Sequence, residues 1–226
     1  MNKPAISVPA AWRVTVGGEE TSARFEPATE SHGSVFVCAH GAGGHMNDLA
    51  MVRLAQALRE RGIDVLRFNF LYREKGSRRP DPMPRLRACY EAVVSKTRAV
   101  LTASRLIIGG RSMGARVASM LAADGFACDA LLLLAYPLHP AGQPEKLRDA
   151  HLPRIDVPVL CFNGTRDTLC RRDLMEKTLQ SVRAPWDMHW VEGADHSLRG
   201  DKVLHQIADT AGTWVERLAN GESARI

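Results

Sequence analysis

The stretch from Ser104 to Ala123, SRLIIGGRSMGARVASMLAA, constrains this chain more than any other. An apolar run, Leu106 to Ile108, meets Gly109-Gly110-Arg111-Ser112-Met113-Gly114, and a helical pattern then opens with Val117, Met120 and Leu121. A strand, sharp turn and helix in this order hold the serine on a strained corner, with its hydroxyl lifted clear of the backbone. Gly110 and Gly114 remove the side chains that would collide where strand and helix approach. The bare Gly-x-Ser-x-Gly pattern arises by chance in roughly one chain in twelve of this length, so its context decides. The bland alternative is a glycine-rich helix start where Ser112 serves only as a cap.

The rest of the chain repeats the alternation. Trp12 to Val16 and Ala23 to Phe25, separated by Gly17-Gly18-Glu19-Glu20, read as a hairpin. Ser34 to His40 is a continuous apolar strand suited to a sheet buried on both faces, and it runs into Gly41-Ala42-Gly43-Gly44. Asn47 or Asp48 caps a helix along Leu49, Val52, Leu54, Ala55 and Leu58 that stops before Gly62. Further strands are expected over Ile63 to Leu71, Asp129 to Tyr136, Pro158 to Asn163 and Trp186 to Val191. The second of these is the most apolar and is expected at the centre. Further helices are expected over Pro84 to Thr102, 171–182 and 201–219. Strands alternating with helices predict an α/β fold, a three-layer α/β/α sandwich around a parallel sheet with right-handed crossovers. No repeat, low-complexity tract or long linker interrupts the 226 residues, so one domain spanning 1–226 is expected.

Composition excludes several classes. At 45% hydrophobic and 24% charged, the chain is an ordinary soluble globule. The five cysteines lack metal-site spacing and cannot all pair, so reduced, packed thiols are expected. The segment MNKPAISVPAAW has no apolar core long enough for a signal peptide, and nothing approaches a membrane span; a cytoplasmic location is the expectation. The net charge of +5 invites a nucleic-acid reading. Much of it sits between Tyr72 and Arg87, where Arg73, Lys75, Arg78, Arg79, Arg85 and Arg87 face only Glu74 and Asp81. That segment holds Pro80, Pro82 and Pro84 and matches no nucleic-acid-binding motif, so no specific nucleic acid is expected as a partner.

Active sites in such sheets gather beyond the carboxyl ends of the strands. Four motifs fall there: His40-Gly-Ala-Gly-Gly, Ser112, Asp167 and His196. A serine hydroxyl needs a base within hydrogen-bond reach, and the base needs a carboxylate to hold its tautomer. Asp167 follows the serine by 55 residues (167 − 112), and His196 follows by 29 more (196 − 167). Ser, Asp, His is the chain order of α/β-hydrolase sites. Singly, Asp167 also reads as a turn or cap and His196 as a loop histidine; the three types at three strand ends make the joint reading the stronger. Asp195 is the competing carboxylate, but adjacent side chains rarely face each other. His40 is expected to structure its loop, and His45 and His189 have no partner spacing that suggests catalysis. The run Gly41 to Gly44 lacks the spacing of a dinucleotide fingerprint and the Gly-Lys-Ser/Thr of a P-loop. It suits an oxyanion loop, which needs only backbone N–H groups brought close to the substrate carbonyl. The expected donors are Ala42, with Gly43 as second choice, and Met113, next to the serine.

At HGAGG, FNFLYRE…RRPDPMPR, GGRSMGARVA, NGTRD and GADHS the chain resembles the α/β-hydrolase superfamily, from about Trp12 onward. It looks most like a small predicted-hydrolase branch that includes a testis-expressed hydrolase-like protein and a chromatin-complex subunit, near dienelactone-hydrolase-like proteins. The resemblance implies a mostly parallel eight-stranded sheet and a Ser112–Asp167–His196 triad. It supplies no substrate. Caps in the superfamily usually follow the strand after the nucleophile helix, where only Pro137 to Val157 stands here, so no large cap is expected. The expected activity is cleavage of a small carboxylic ester or thioester through an acyl-enzyme, without cofactor or metal, with a peptidase as a lesser version. The alternative is a weak or inactive binding scaffold that uses the basic loop for partners. Gly43, Arg73, Arg78 and Arg79 are candidate substrate contacts, the arginines for an acidic group, against a plain solvated loop. A monomer or homodimer without membrane attachment is expected.

Overall fold

A computed structural model describes residues 8–221. The strands are β1 (Ala10–Val16), β2 (Glu19–Glu26), β3 (Ser34–Ala39), β4 (Ile63–Phe68), β5 (Arg105–Arg111), β6 (Ala130–Leu134), β7 (Val159–Gly164) and β8 (Trp186–Val191). The helices are α1 (Leu49–Arg59), α2 (Leu71–Glu74), α3 (Met83–Val100), α4 (Met113–Ala123), α5 (Arg172–Leu179) and α6 (Asp201–Ala219), with a 3-10 turn at Leu152–Arg154. All eight strands join one sheet in the order β1-β2-β4-β3-β5-β6-β7-β8. β2 runs antiparallel to β1 and β4, and every other pairing is parallel. The reversal follows from the β1–β2 turn, where Gly17 and Gly18 take φ of 53° and 84°, the left-handed pair that a two-residue hairpin demands.

Strand alternation sorts the core into two layers. Val35 and Val37 of β3 belong to the layer that also holds Val93 of α3, Leu121 of α4 and Met175 of α5. Phe36 and Cys38, one residue out of phase, face Leu54 and Leu58 of α1 and Ile207 and Trp214 of α6. Every residue of β3, β6 and β7 is buried, which is why those strands read as unbroken apolar runs.

The structure corrects several expectations. β6 sits one place off centre, between β5 and β7; the middle pair is β3 and β5. β3 and β7 are buried along their whole length just as β6 is, and the central β5 carries an arginine at each end, so hydrophobicity alone does not rank them. The expected strand to Leu71 ends at Phe68, and the chain turns away at Asn69. The Asn69 amide accepts the Met46 N–H (2.9 Å) and donates to Glu74 (2.8 Å). Phe70, Leu71 and Tyr72 remain buried outside the sheet, which prolonged the apolar pattern.

Residues 137–157 form no cap. Leu138 and Leu152 are wholly buried in the α4 layer, and the Ser119 hydroxyl of α4 lies 2.8 Å from His151 Nε2. All five cysteines are free thiols, and burial pushes Cys38 up to about 12. No helix among the described residues is long and apolar enough to cross a membrane.

Candidate active site

Ser112 stands between β5 and α4 at φ 51° and ψ −112°, a conformation that costs a side-chain-bearing residue and persists only where its surroundings impose it. Its N–H donates to the Leu134 carbonyl (2.8 Å), which fastens the turn to β6. Gly110 takes φ 140°, and a Cβ there would collide with the Ala39 carbonyl; a Cβ at Gly114 would lie 2.5 Å from the same oxygen. Both glycines therefore let the serine turn close onto the end of β3. Gly41 follows that strand end, and a Cβ on it would stand 3.4 Å from Ser112 Cβ, so the glycine loop lies directly against the serine.

His196 reaches Ser112 from the loop after β8. Its Nε2 is 2.8 Å from Ser112 Oγ, and its Nδ1 is 2.8 Å and 3.0 Å from the Asp167 carboxylate oxygens. Nδ1 as donor to the carboxylate leaves Nε2 as acceptor for the serine proton. The Asp167 side chain is fully buried, and its two oxygens also accept the Leu169 N–H (2.8 Å) and the Asn163 amide (3.1 Å). Gly164 lets the two loops touch, for a Cβ there would strike the Ala194 carbonyl. Asp195 faces elsewhere and accepts the Ser197 N–H (2.7 Å).

The glycine loop is held from below. His40 is buried, lies 2.8 Å from the Gly41 carbonyl at Nδ1 and accepts the Phe70 N–H at Nε2 (3.1 Å); burial lowers its ring pKa to about 4. The buried Arg67 guanidinium pairs with Glu26 (2.7 Å) and donates to the Met46 carbonyl. Gly44 closes a turn onto the Gly41 carbonyl (3.2 Å). Ala42 and Gly43 are exposed at its tip, and Met113 supplies the first N–H of α4, which has no acceptor within its own helix.

Sequence reasoning missed two side chains. Asn163 is wholly buried; it accepts the Tyr136 N–H (3.1 Å) and donates to the Tyr136 carbonyl (3.1 Å) and to Asp167. An amide ending the apolar strand PVLCFN was the available signal. Arg111 donates to the carbonyls of His196 (3.4 Å) and Ser197, clamping the histidine loop. A cation ending the apolar β5 run was the signal there.

The basic loop is less available than its composition suggests. Lys75 and Arg85 pair with Glu19, Arg87 pairs with Asp124, and Arg73 donates to the Ser77 carbonyl (2.8 Å). Arg78 and Arg79 are exposed, and no hydrogen bond joins either to Ser112, His196 or the glycine loop. Among the described residues no cluster of three His, Cys, Asp or Glu side chains is arranged to hold a metal ion.

A twisted eight-stranded sheet with an antiparallel second strand, a serine on the β5–α4 corner, and a histidine and aspartate from later strand ends define the α/β-hydrolase class. The chain belongs to the alpha/beta hydrolase domain family, whose model matches residues 32–218. Solved structures share the fold. Est1E from Butyrivibrio proteoclasticus is 14% identical at a TM-score of 0.75, covering 93% of this chain and 99% of its own. Dienelactone hydrolase from Anabaena variabilis is 18% identical at 0.72, covering 92% and 97%. XC6422 from Xanthomonas campestris, described as an a/b serine hydrolase without lid, is 19% identical at 0.70, covering 96% and 97%.

Proposed function

We propose that the protein is a serine hydrolase that cleaves a small carboxylic ester or thioester through an acyl-enzyme. The observation that carries this reading is the hydrogen-bonded row from Ser112 Oγ through His196 to Asp167, with the serine on a positive-φ corner. Dienelactone hydrolase, by its name a lactone hydrolase, and XC6422, described as a serine hydrolase, lend it further support, as does the motif likeness to the predicted-hydrolase branch.

In this mechanism Ser112 Oγ attacks the acyl carbon while His196 Nε2 takes its proton. The charge on the imidazolium is stabilised by Asp167 through Nδ1–H. The oxyanion is held by the N–H groups of Met113 and Ala42; one such donor is worth about 3 kcal/mol in the transition state. The tetrahedral intermediate collapses as His196 returns the proton to the leaving alcohol or thiol. Water then attacks the acyl-enzyme with His196 as base, releasing the acid and restoring Ser112. The scaffold reading has less behind it, because Glu19 and Asp124 already neutralise much of the basic loop.

Turnover of p-nitrophenyl acetate and butyrate by wild type and Ser112→Ala tests the proposal. Loss of the nucleophile is expected to lower kcat by up to about a millionfold. A folded wild type without turnover sinks the esterase reading.

A further inference from the structure

A cavity of about 490 Å³ opens between the start of α1, Arg111 at the end of β5 and the loop that leads into α6. Its charged lining is Arg53, Arg111, Arg199 and one carboxylate, Asp48; Leu49 and Leu204 supply apolar wall. The chain itself ties this cavity to the site. Arg111 immediately precedes Ser112 and its guanidinium rests on the His196 backbone, while Arg199 is the third residue after His196.

The local carboxylates are engaged. Asp48 accepts the His45 N–H (2.8 Å) and pairs with the His45 ring (3.2 Å), Asp195 accepts the Ser197 N–H, and Asp201 pairs with Arg53 (3.0 Å). Among the described residues no carboxylate lies within salt-bridge distance of Arg111 or Arg199. The Arg111 guanidinium is lowered from its ordinary pKa by burial and then by the neighbouring Arg199 charge, which the more distant Asp195, Asp48 and Asp167 oppose without reversing. An anion between the two would relieve that repulsion. The N-termini of α1 and α6 border this cavity, with Asp48 at the first and Asp201 at the second offsetting their dipoles, so the two arginines carry the positive field.

We infer that this cavity is a subsite for an anionic group of the substrate, a carboxylate or a phosphate, held by Arg199 and Arg111 while the scissile ester sits on Ser112. The inference rests on the esterase reading and narrows it to esters with an acidic tail. Guanidinium forks match both oxyanions bidentately. It also moves the acid-recognising role from the basic loop, whose cations are largely committed to Glu19, Asp124 and backbone, to Arg111 and Arg199.

The test compares p-nitrophenyl hydrogen succinate with its neutral methyl succinate analogue, using wild type, Arg199→Gln and Arg199→Glu. Arg199 is exposed and makes no ion pair, so both variants should fold, as thermal melts will check. Wild type is expected to prefer the acidic ester in kcat/KM. The ratio of acidic to neutral should fall about tenfold or more in Arg199→Glu, and less in Arg199→Gln. A ratio unchanged by either variant overturns the inference. Competition by free succinate or inorganic phosphate, lost in Arg199→Glu, tells which anion the subsite takes. If wild type hydrolyses neither ester, the esterase reading falls and the subsite is judged alone, by calorimetric titration with succinate and with phosphate. Binding lost in Arg199→Glu sustains the subsite; absence of binding to wild type overturns it.

Discussion

At the scale of single residues, the site depends on side chains that never touch substrate. Asn163 is the clearest. Its amide oxygen and nitrogen lock the Tyr136 backbone, and the same nitrogen holds the Asp167 carboxylate that orients His196. Asn163→Ala leaves a buried N–H and a buried carboxylate short of partners, a cost of about 1–3 kcal/mol in stability. If the misplacement of Asp167 is transmitted in full, kcat falls roughly 10- to 100-fold. Urea melts and turnover measured together check this; a variant as active as wild type would show that the Leu169 N–H alone positions Asp167. The residues of the hydrogen-bonded row were legible in the sequence because each follows the carboxyl end of a strand, in the order Ser, Asp, His. Asn163 and Arg111 were not, because their roles depend on partners 27 and 85 residues away, which only the folded sheet brings near.

At the scale of elements, the packing of α4 on the end of β3 fixes the serine. Gly114 is helical, so an alanine there suffers no backbone penalty, yet its Cβ would lie 2.5 Å from the Ala39 carbonyl. Gly114→Ala is expected to destabilise by about 1–3 kcal/mol through overpacking and to displace Ser112. A chemical denaturation midpoint equal to wild type would contradict that packing account. Strands buried on both faces were plain in the sequence, and so was the amphipathic α6 at Asp201–Ala219. The bend at Asn69 was not, since Phe70 and Tyr72 stay apolar against His40 after leaving the sheet. The charge of the 72–87 segment was also misleading in isolation. Glu19 lies on the hairpin and Asp124 at the end of α4, both far away along the chain.

At the scale of the whole molecule, two buried histidines link the fold to pH. His40 underpins the glycine loop, and His151 ties the 137–157 segment to Ser119 of α4. Burial lowers both ring pKa values from 6.5 to about 4. The unfolded chain therefore binds protons at a higher pH than the native one. The contribution of each neutral ring is complete above about pH 6.5 and is lost as pH falls towards 4. It reaches about 3 kcal/mol for His40 and less for the more accessible His151. Urea melts at pH 7 and pH 4.5 should show that loss, and His151→Gln should flatten the slope. Equal slopes in variant and wild type would remove His151 from the account.

Fluorophosphonate labelling of the folded protein, followed by peptide mapping, tests the central claim most directly. The account predicts one adduct, on Ser112, formed by wild type and absent from Ser112→Ala. A folded wild type that takes no label, or takes it at another residue, would contradict it.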